Sequence, residues 1–401
     1  MIFVFLNNKL IALDTVLPLM LELKRRHPGV RLEFLCFEPR TEAAIRENVV
    51  LSDALDSIGR LRMVGRRDAG AVHWLGHRLR SIAMLARIAF LALIGRASFV
   101  HFKALSEWPF RLLYVLAPNR TFFAQAGNTA QTATERKVDQ INKKRSYPSI
   151  LPAAGQLIGF NGDWWGFADP RLANKPRFLL PPTIQLPAWN EHLAQVAPRY
   201  LRDVLPSDNA DGAGYAVYIL SSMDNAPILQ DPDGFPGLLE ETLAELYEAR
   251  PELFVLVKPH PATRSAYRER AAAIIERQAA AGQAVAETHL HPQLLARNAR
   301  FFIANVFSST FINAVLSRTP TIEYTRYSAI TLAVTDNGSM RPDFVDHFIN
   351  GDAERLRALV GELQPREEGA RQPVMPQFED AVRRLLDTLA GAEPAAGHHG
   401  A

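Results

Sequence analysis

Two short polar stretches each follow an apolar run: Lys258-Pro259-His260-Pro261 after Leu253–Val257, and Ser308-Ser309-Thr310 after Phe301–Ala304. A histidine on a proline-stiffened turn leaves its strand in a fixed direction and can donate a hydrogen bond or a proton to a departing phosphate. Hydroxyls and backbone N–H groups opening a helix over 311–316 can hold the same anion. Lys258 can add positive charge, although a lysine ending a strand is more often simply solvated. Taken singly, the motifs read as an ordinary His-Pro turn and an ordinary helix N-cap. Their pairing is what points to phosphate chemistry. A third run, Pro320-Thr321-Ile322-Glu323-Tyr324, places Glu323 near a strand end. A carboxylate there is either an edge surface group or a bidentate partner for ribose hydroxyls.

The elements that must position these residues follow from the pattern. Continuous apolar runs of this length read as strands buried on both faces, as in a parallel sheet, and ligands of such sheets bind beyond the carboxyl ends of the strands. Between the motifs the spacing predicts a helix over 266–281, a short strand at Val285 and a helix over 292–299, which is a β/α alternation. The first half repeats the rhythm: strands over 2–6, 31–37, 60–64, 99–102 and 121–124, and a helix over 12–26. The expected fold is therefore α/β, with two Rossmann-like domains, a deep interdomain cleft and C-terminal helices. The expected boundaries are an N-terminal acceptor domain at 1–185, a linker at 186–214 and a nucleotide-donor domain at 215–350. Helices at 351–390 and a disordered tail at 391–401 complete the chain.

Composition fits two globular domains. The 401 residues are 48% hydrophobic and 22% charged, enough for sizeable cores. A net charge of +3 is too small to argue for nucleic acid. The single cysteine, Cys36, forms no intrachain disulfide and reads as a buried thiol, which suits a reducing cytosol. The start of the chain enters a strand pattern directly rather than a signal sequence. The segment 74–96 is apolar but broken by Arg87 and flanked by Arg78, Arg80 and Arg96. It is too short and interrupted to span a bilayer. A buried helix of the first domain is the favoured reading, with peripheral contact at the inner membrane as the alternative.

Lys-Pro-His-Pro, then Phe-Ser-Ser-Thr, then Pro-Thr-Ile-Glu-Tyr resembles the C-terminal domain of GT-B glycosyltransferases that use cytidine-nucleotide donors, over about residues 215–330. Sialyl-, polysialyl- and Kdo transferases of bacterial capsule and lipopolysaccharide synthesis carry such a pair; glycerophosphotransferases of teichoic-acid synthesis carry a similar one. The resemblance implies that His260 contacts the donor phosphate as hydrogen-bond donor or general acid. It implies further that Lys258, Pro261, Ser308, Ser309 and Thr310 line the donor site and that Glu323 holds the ribose. The nucleotide sugar is then a co-substrate, its CMP linkage following from the resemblance, and no resident cofactor is needed.

Preorganised donors can stabilise a leaving phosphate without a metal. Asp231-Pro232-Asp233 lies in a Pro/Gly-rich loop and reads as turn chemistry, so metal-independent transfer is expected. The partners expected are the nucleotide sugar and a glycan or lipid-linked saccharide acceptor. Deprotonating that acceptor requires a base from the first domain. Asp14 leads, Glu107 follows and His101 is third; Asn7, Asn8, Lys9 and the 125–128 turn could line the acceptor pocket. Polyol phosphate transfer from a CDP donor, a UDP-sugar transferase or epimerase, and a binding protein without turnover remain open at this point.

Overall fold

The computed structural model describes residues 1–6, 10–64, 71–102, 110–128, 132–141, 155–160, 162, 164–206, 214–221, 227–231, 234–260, 265–363 and 376–391. Two parallel sheets organise them into two doubly wound, Rossmann-like α/β units. The first sheet contains β1 (Ile2–Phe5), β2 (Leu32–Cys36), β3 (Gly59–Met63), β4 (Ser98–His101), β5 (Thr121–Ala124), β6 (Gln156–Gly159) and β7 (Arg177–Leu179), in the order β3-β2-β1-β4-β5-β6-β7. The second contains β8 (Tyr215–Leu220), β9 (Phe254–Pro259), β10 (Val285–Glu287), β11 (Ala299–Ala304), β12 (Thr321–Thr325) and β13 (His347–Asn350), in the order β10-β9-β8-β11-β12-β13.

The apolar runs become central strands because helices cover both faces of a parallel sheet, leaving no face for polar side chains. Every residue of β1, β2, β4, β8 and β12 is buried, whereas the edge strand β3 exposes Arg60 and Arg62. In the second sheet one register line runs through Lys258, Ile219, Ala304, Glu323 and Phe348.

Several expectations change. The Lys-Pro-His-Pro stretch does not close β9 abruptly; Lys258 and Pro259 belong to the strand, pairing with Ile219 and Leu220. Proline is tolerated there because the ladder to β10 pairs Glu287 with Val257 and reaches no further along β9. The stretch ahead of the expected linker holds β7, and the expected linker begins with the helix Pro187–Arg202. The polar run 207–213 and the tail beyond Gly391 lie outside the described residues. The helix Ala71–Leu93 is not a buried core helix all round. Ile88 and Ala92 pack inward, but Leu79, Ile82, Phe90 and Leu93 are exposed.

The two compact units exchange two segments relative to the expected boundaries. Unit 1 comprises Met1–Ala130, Pro148–His192 and Pro373–Ala401; unit 2 comprises Gln131–Tyr147 and Leu193–Gln372. The helix Ala133–Ile141 thus belongs to the second unit. A reciprocal capping box starts it: the Glu135 N–H donates to Thr132 Oγ1 (3.1 Å), and the Thr132 N–H donates to Glu135 Oε2 (2.7 Å). That carboxylate also pairs with Arg341 at 3.0 Å.

The helix Pro376–Ala390 joins the first unit. It buries Val382, Leu385, Leu386 and Leu389, each side chain contributing about 1.5–3 kcal/mol. The Ser98 hydroxyl donates to the Leu389 carbonyl at 3.2 Å, and His27 meets Asp387 at 3.0 Å.

Candidate active site

The order of the second sheet reverses between β8 and β11, since the chain steps from β8 outward through β9 and from β11 outward through β12. Beyond the carboxyl ends of strands at such a reversal the loops diverge and leave a crevice. The Ser221 hydroxyl, following β8, bridges the reversal by donating to the Val306 carbonyl at 3.0 Å. His260 follows β9 on one side, and its N–H continues the ladder by donating to the Leu220 carbonyl at 3.1 Å. Ser308 follows β11 on the other side. Lys258 and His260 are half-buried; Pro261 lies outside the described residues.

The hydroxyl cluster forms a tight turn rather than a row of helix caps. The Ser308 hydroxyl accepts the Thr310 N–H at 3.3 Å, and its carbonyl accepts the Phe311 N–H at 2.9 Å. Ser308 is buried, Ser309 exposed and Thr310 half-buried. Thr310 precedes the helix Phe311–Leu316 but makes no side-chain cap, contrary to the expected N-cap role.

Three buried side chains fix the backbone ahead of this turn. Asn305 is fully buried; its amide nitrogen donates to Thr242 Oγ1 and to the Tyr324 carbonyl, both at 2.9 Å, while its oxygen accepts the Tyr218 hydroxyl. Glu323 accepts the Phe307 N–H at 2.9 Å and the Tyr327 hydroxyl on one oxygen, and the Ser339 hydroxyl at 2.5 Å on the other. Arg341 sets its guanidinium 5.6 Å from the Phe307 ring centre and 4.5 Å from that of Phe344.

This arrangement corrects the ribose role expected for Glu323. At 0% exposure, with three donors on its carboxylate, the side chain is turned into the protein and holds the peptide before Ser308. Burial raises its pKa above the usual carboxylate range, against the opposing hydrogen bonds from Ser339, Tyr327 and Phe307. Burial also pushes the Tyr327 phenol up, so it remains a donor. Sequence reasoning missed Tyr327, Ser339 and Arg341, which carry no motif; the one available signal was Asn305, a polar residue closing an apolar run.

In the first unit the sheet reverses between β1 and β4. Asp14 is half-buried in the helix Leu10–Arg26, near its start. Glu107 and Asn7, Asn8 and Lys9 lie outside the described residues. His101 is fully buried at the end of β4, with the Tyr114 hydroxyl 3.2 Å from Nε2 and the Phe123 ring centre 5.4 Å away. Desolvation lowers its pKa to about 3, so the imidazole is neutral near pH 7 and serves the core. The 125–128 turn is held from within its own unit: Gln125 accepts the Phe160 N–H (2.8 Å), the Gly127 N–H reaches Thr15 Oγ1 (2.8 Å), and Asn128 accepts the Thr183 N–H (2.8 Å).

No protein-family model and no curated protein matches the sequence. Among solved structures, the chain is similar to a UDP-glucose:anthocyanidin 3-O-glucosyltransferase in complex with UDP, at 10% identity over 100% of this chain and 95% of that one, with a TM-score of 0.46. It is also similar to Phytolacca americana UGT2 complexed with UDP-2-fluoro-glucose and pterostilbene, at 12% identity over 96% and 94% of the two chains, TM-score 0.48. A third similar structure is CalG4, the calicheamicin glycosyltransferase, at 12% identity over 98% and 94%, TM-score 0.42.

Proposed function

We propose that the protein is a glycosyltransferase that moves a sugar from a cytidine-nucleotide donor, of the CMP-sialic acid or CMP-Kdo type, to a glycan or lipid-linked acceptor. One observation carries the reading: His260 and the Ser308 turn flank the strand-order reversal of the second sheet. With β8 between them, β9 and β11 stand about 10 Å apart, two strand spacings, which leaves room for a phosphate reached from both sides. The resemblance of Lys258–Pro261 and Phe307–Thr310 supports the cytidine assignment. A cytosolic setting belongs to the same reading.

In the proposed reaction the bond between the anomeric carbon and the donor phosphate oxygen breaks, and its electrons leave on the nucleotide. His260 donates a hydrogen bond or proton to that phosphate, and the Ser308 turn holds it. The acceptor oxygen bonds to the anomeric carbon, and its proton passes to a base, with Asp14 the first candidate and Glu107 the second. Transfer proceeds without a divalent ion, because the charge that develops on the phosphate is met by fixed donors.

Thermal-shift and calorimetric titrations with CMP, CDP, UDP and GDP test the donor; stabilisation by UDP or GDP above both cytidine nucleotides refutes the cytidine assignment. His260→Ala should lower kcat by about 10²–10⁴-fold while the unfolding midpoint is kept. Near-normal turnover removes His260 from the mechanism. Activity that EDTA abolishes and added metal restores would contradict the metal-free step.

A further inference from the structure

The helix Ala71–Leu93 carries apolar residues on two faces, and the fold uses one of them. Its inner face sets Ile88 and Ala92 into the core beside Phe3, Phe5 and Phe99, with Met84, Leu85 and Leu91 packed against that cluster. Its outer face exposes Leu79 (61%), Ile82 (61%), Phe90 (60%) and Leu93 (66%). Positions 79, 82, 86, 90 and 93 recur every three or four residues, so these side chains form one stripe about 21 Å long at 1.5 Å per residue. Val115, at 77% exposure on the short helix Leu113–Leu116 that packs against this helix, adds a further apolar group. Scattered exposed apolar residues are ordinary; a continuous stripe marks an interaction surface.

The charge around the stripe selects its partner. Between Asp68 and Glu107 the sequence contains no acidic residue, while Arg78, Arg80, Arg87, Arg96 and Lys103 fall within that stretch. Arg87 lies on the exposed face, with 45% of its side chain accessible, and reaches Glu33 at 3.0 Å. Arg96, just past the helix, and Arg111 are exposed. A second copy of the chain would bring this basic face against itself and repel. No described helix is long and apolar enough to cross a membrane. An apolar stripe on a helix that carries arginines and no carboxylate of its own, with Glu33 already paired to Arg87 and Arg62, matches an anionic bilayer, whose acyl region takes the stripe and whose headgroups meet the guanidinium groups.

We infer that the outer face of Ala71–Leu93 docks the protein on an anionic lipid surface, with the helix lying along it. The docking face is in the first unit and the nucleotide site in the second, so either assignment can fail while the other stands.

The test is co-sedimentation of the full chain with phosphatidylcholine vesicles containing about one-third phosphatidylglycerol, against pure phosphatidylcholine vesicles. Wild type should bind the anionic vesicles, bind the neutral ones at least about tenfold more weakly, and be released as salt rises from about 50 to 500 mM. The triple variant Ile82→Ser, Phe90→Ser and Leu93→Ser should lose about tenfold or more in partitioning with an unchanged unfolding midpoint. A Phe90→Trp variant supplies an independent reading, since its added fluorescence should shift to the blue only with anionic vesicles. Failure of wild type to bind, equal binding to neutral vesicles, or full binding by the triple variant overturns the inference. So does a dimer that the triple variant abolishes while wild type ignores vesicles, which would give the face to a second copy.

Discussion

Glu323→Ala should destabilise the second unit by about 3–5 kcal/mol. The substitution strips the acceptor from three donors, the Phe307 N–H, the Tyr327 hydroxyl and the Ser339 hydroxyl. Each buried donor left unpaired costs about 1–3 kcal/mol. The two hydroxyls can rotate towards other acceptors, while the peptide N–H cannot, which places the expected total below the sum of the maxima. At about 2–4 °C per kcal/mol for a unit of this size, the midpoint should fall by roughly 6–20 °C. Glu323→Gln keeps the shape and an acceptor for Phe307, and should cost less than about 1.5 kcal/mol.

The pH dependence carries a definite sign. Burial raises the folded-state pKa of Glu323 above its unfolded value. The folded chain therefore holds more protons in that window. The contribution is fully present below the ordinary carboxylate range and is lost as pH rises through the raised value. Glu323→Gln has no such proton to lose, so its stability relative to wild type should improve between about pH 4 and pH 8. Chemical denaturation of both variants across this range, with donor-nucleotide titration of each, measures all of these quantities. An alanine variant within about 0.5 kcal/mol of wild type, or a glutamine variant whose gap to wild type widens unfavourably with pH, would refute the reasoning.

Other outcomes follow from neighbouring features. The His101 pKa, about 3 in the fold against 6.5 ordinarily, means that the unfolded chain gains a proton first on acidification. Stability should then be lost as pH falls below about 6.5, by up to about 1.4 kcal/mol per pH unit, and His101→Phe should flatten the slope seen in urea unfolding; an equally steep variant would exclude His101 as the cause. Asn305→Ala leaves the Tyr218 hydroxyl and the Tyr324 carbonyl without their buried partner and should cost about 2–4 kcal/mol in the same assay, a loss under 1 kcal/mol contradicting the pinning role. A double-mutant cycle of Arg341→Leu and Glu135→Gln should give a coupling of about 1–2 kcal/mol, because the pair is largely buried; additive effects would show that the ion pair does not hold the helix Ala133–Ile141 in the second unit.

The central strands were legible because a parallel sheet buried on both faces writes itself as a continuous apolar run. Phe311–Leu316 matches its expected bounds, and Ala299–Ala304 extends the expected run by two residues. The strands that escaped are short and weakly patterned. Gln156–Gly159 begins with a polar side chain, Arg177–Leu179 is a three-residue edge, and His347–Asn350 buries fully only Ile349. Such strands are specified by the ladder they join rather than by their own periodicity. Thr132-x-x-Glu135 reads as a helix start, but its assignment to the second unit depends on Arg341, more than two hundred positions away. Glu323 was found as a strand-end carboxylate; the direction of its side chain depended on Tyr327 and Ser339, which no local pattern ties to it.

The pairing of motifs and pins gives the second unit a consistent physical logic. A turn made of small hydroxyl residues has little apolar surface with which to fix its own conformation. Here the constraint comes from behind it, through the Asn305 amide, the Glu323 carboxylate on the Phe307 peptide, and the Arg341 guanidinium over the Phe307 ring. Buried polar groups of this kind seldom add net stability over well-packed apolar ones, but when fully bonded they specify one backbone path. A site that stabilises charge on a leaving phosphate needs donors held to within about 0.5 Å. Loosening Glu323 should therefore weaken donor binding beyond what the loss of global stability accounts for. Glu323→Ala measured well below its unfolding midpoint should raise the donor KM, whereas unchanged donor kinetics would reduce the carboxylate to a purely structural role.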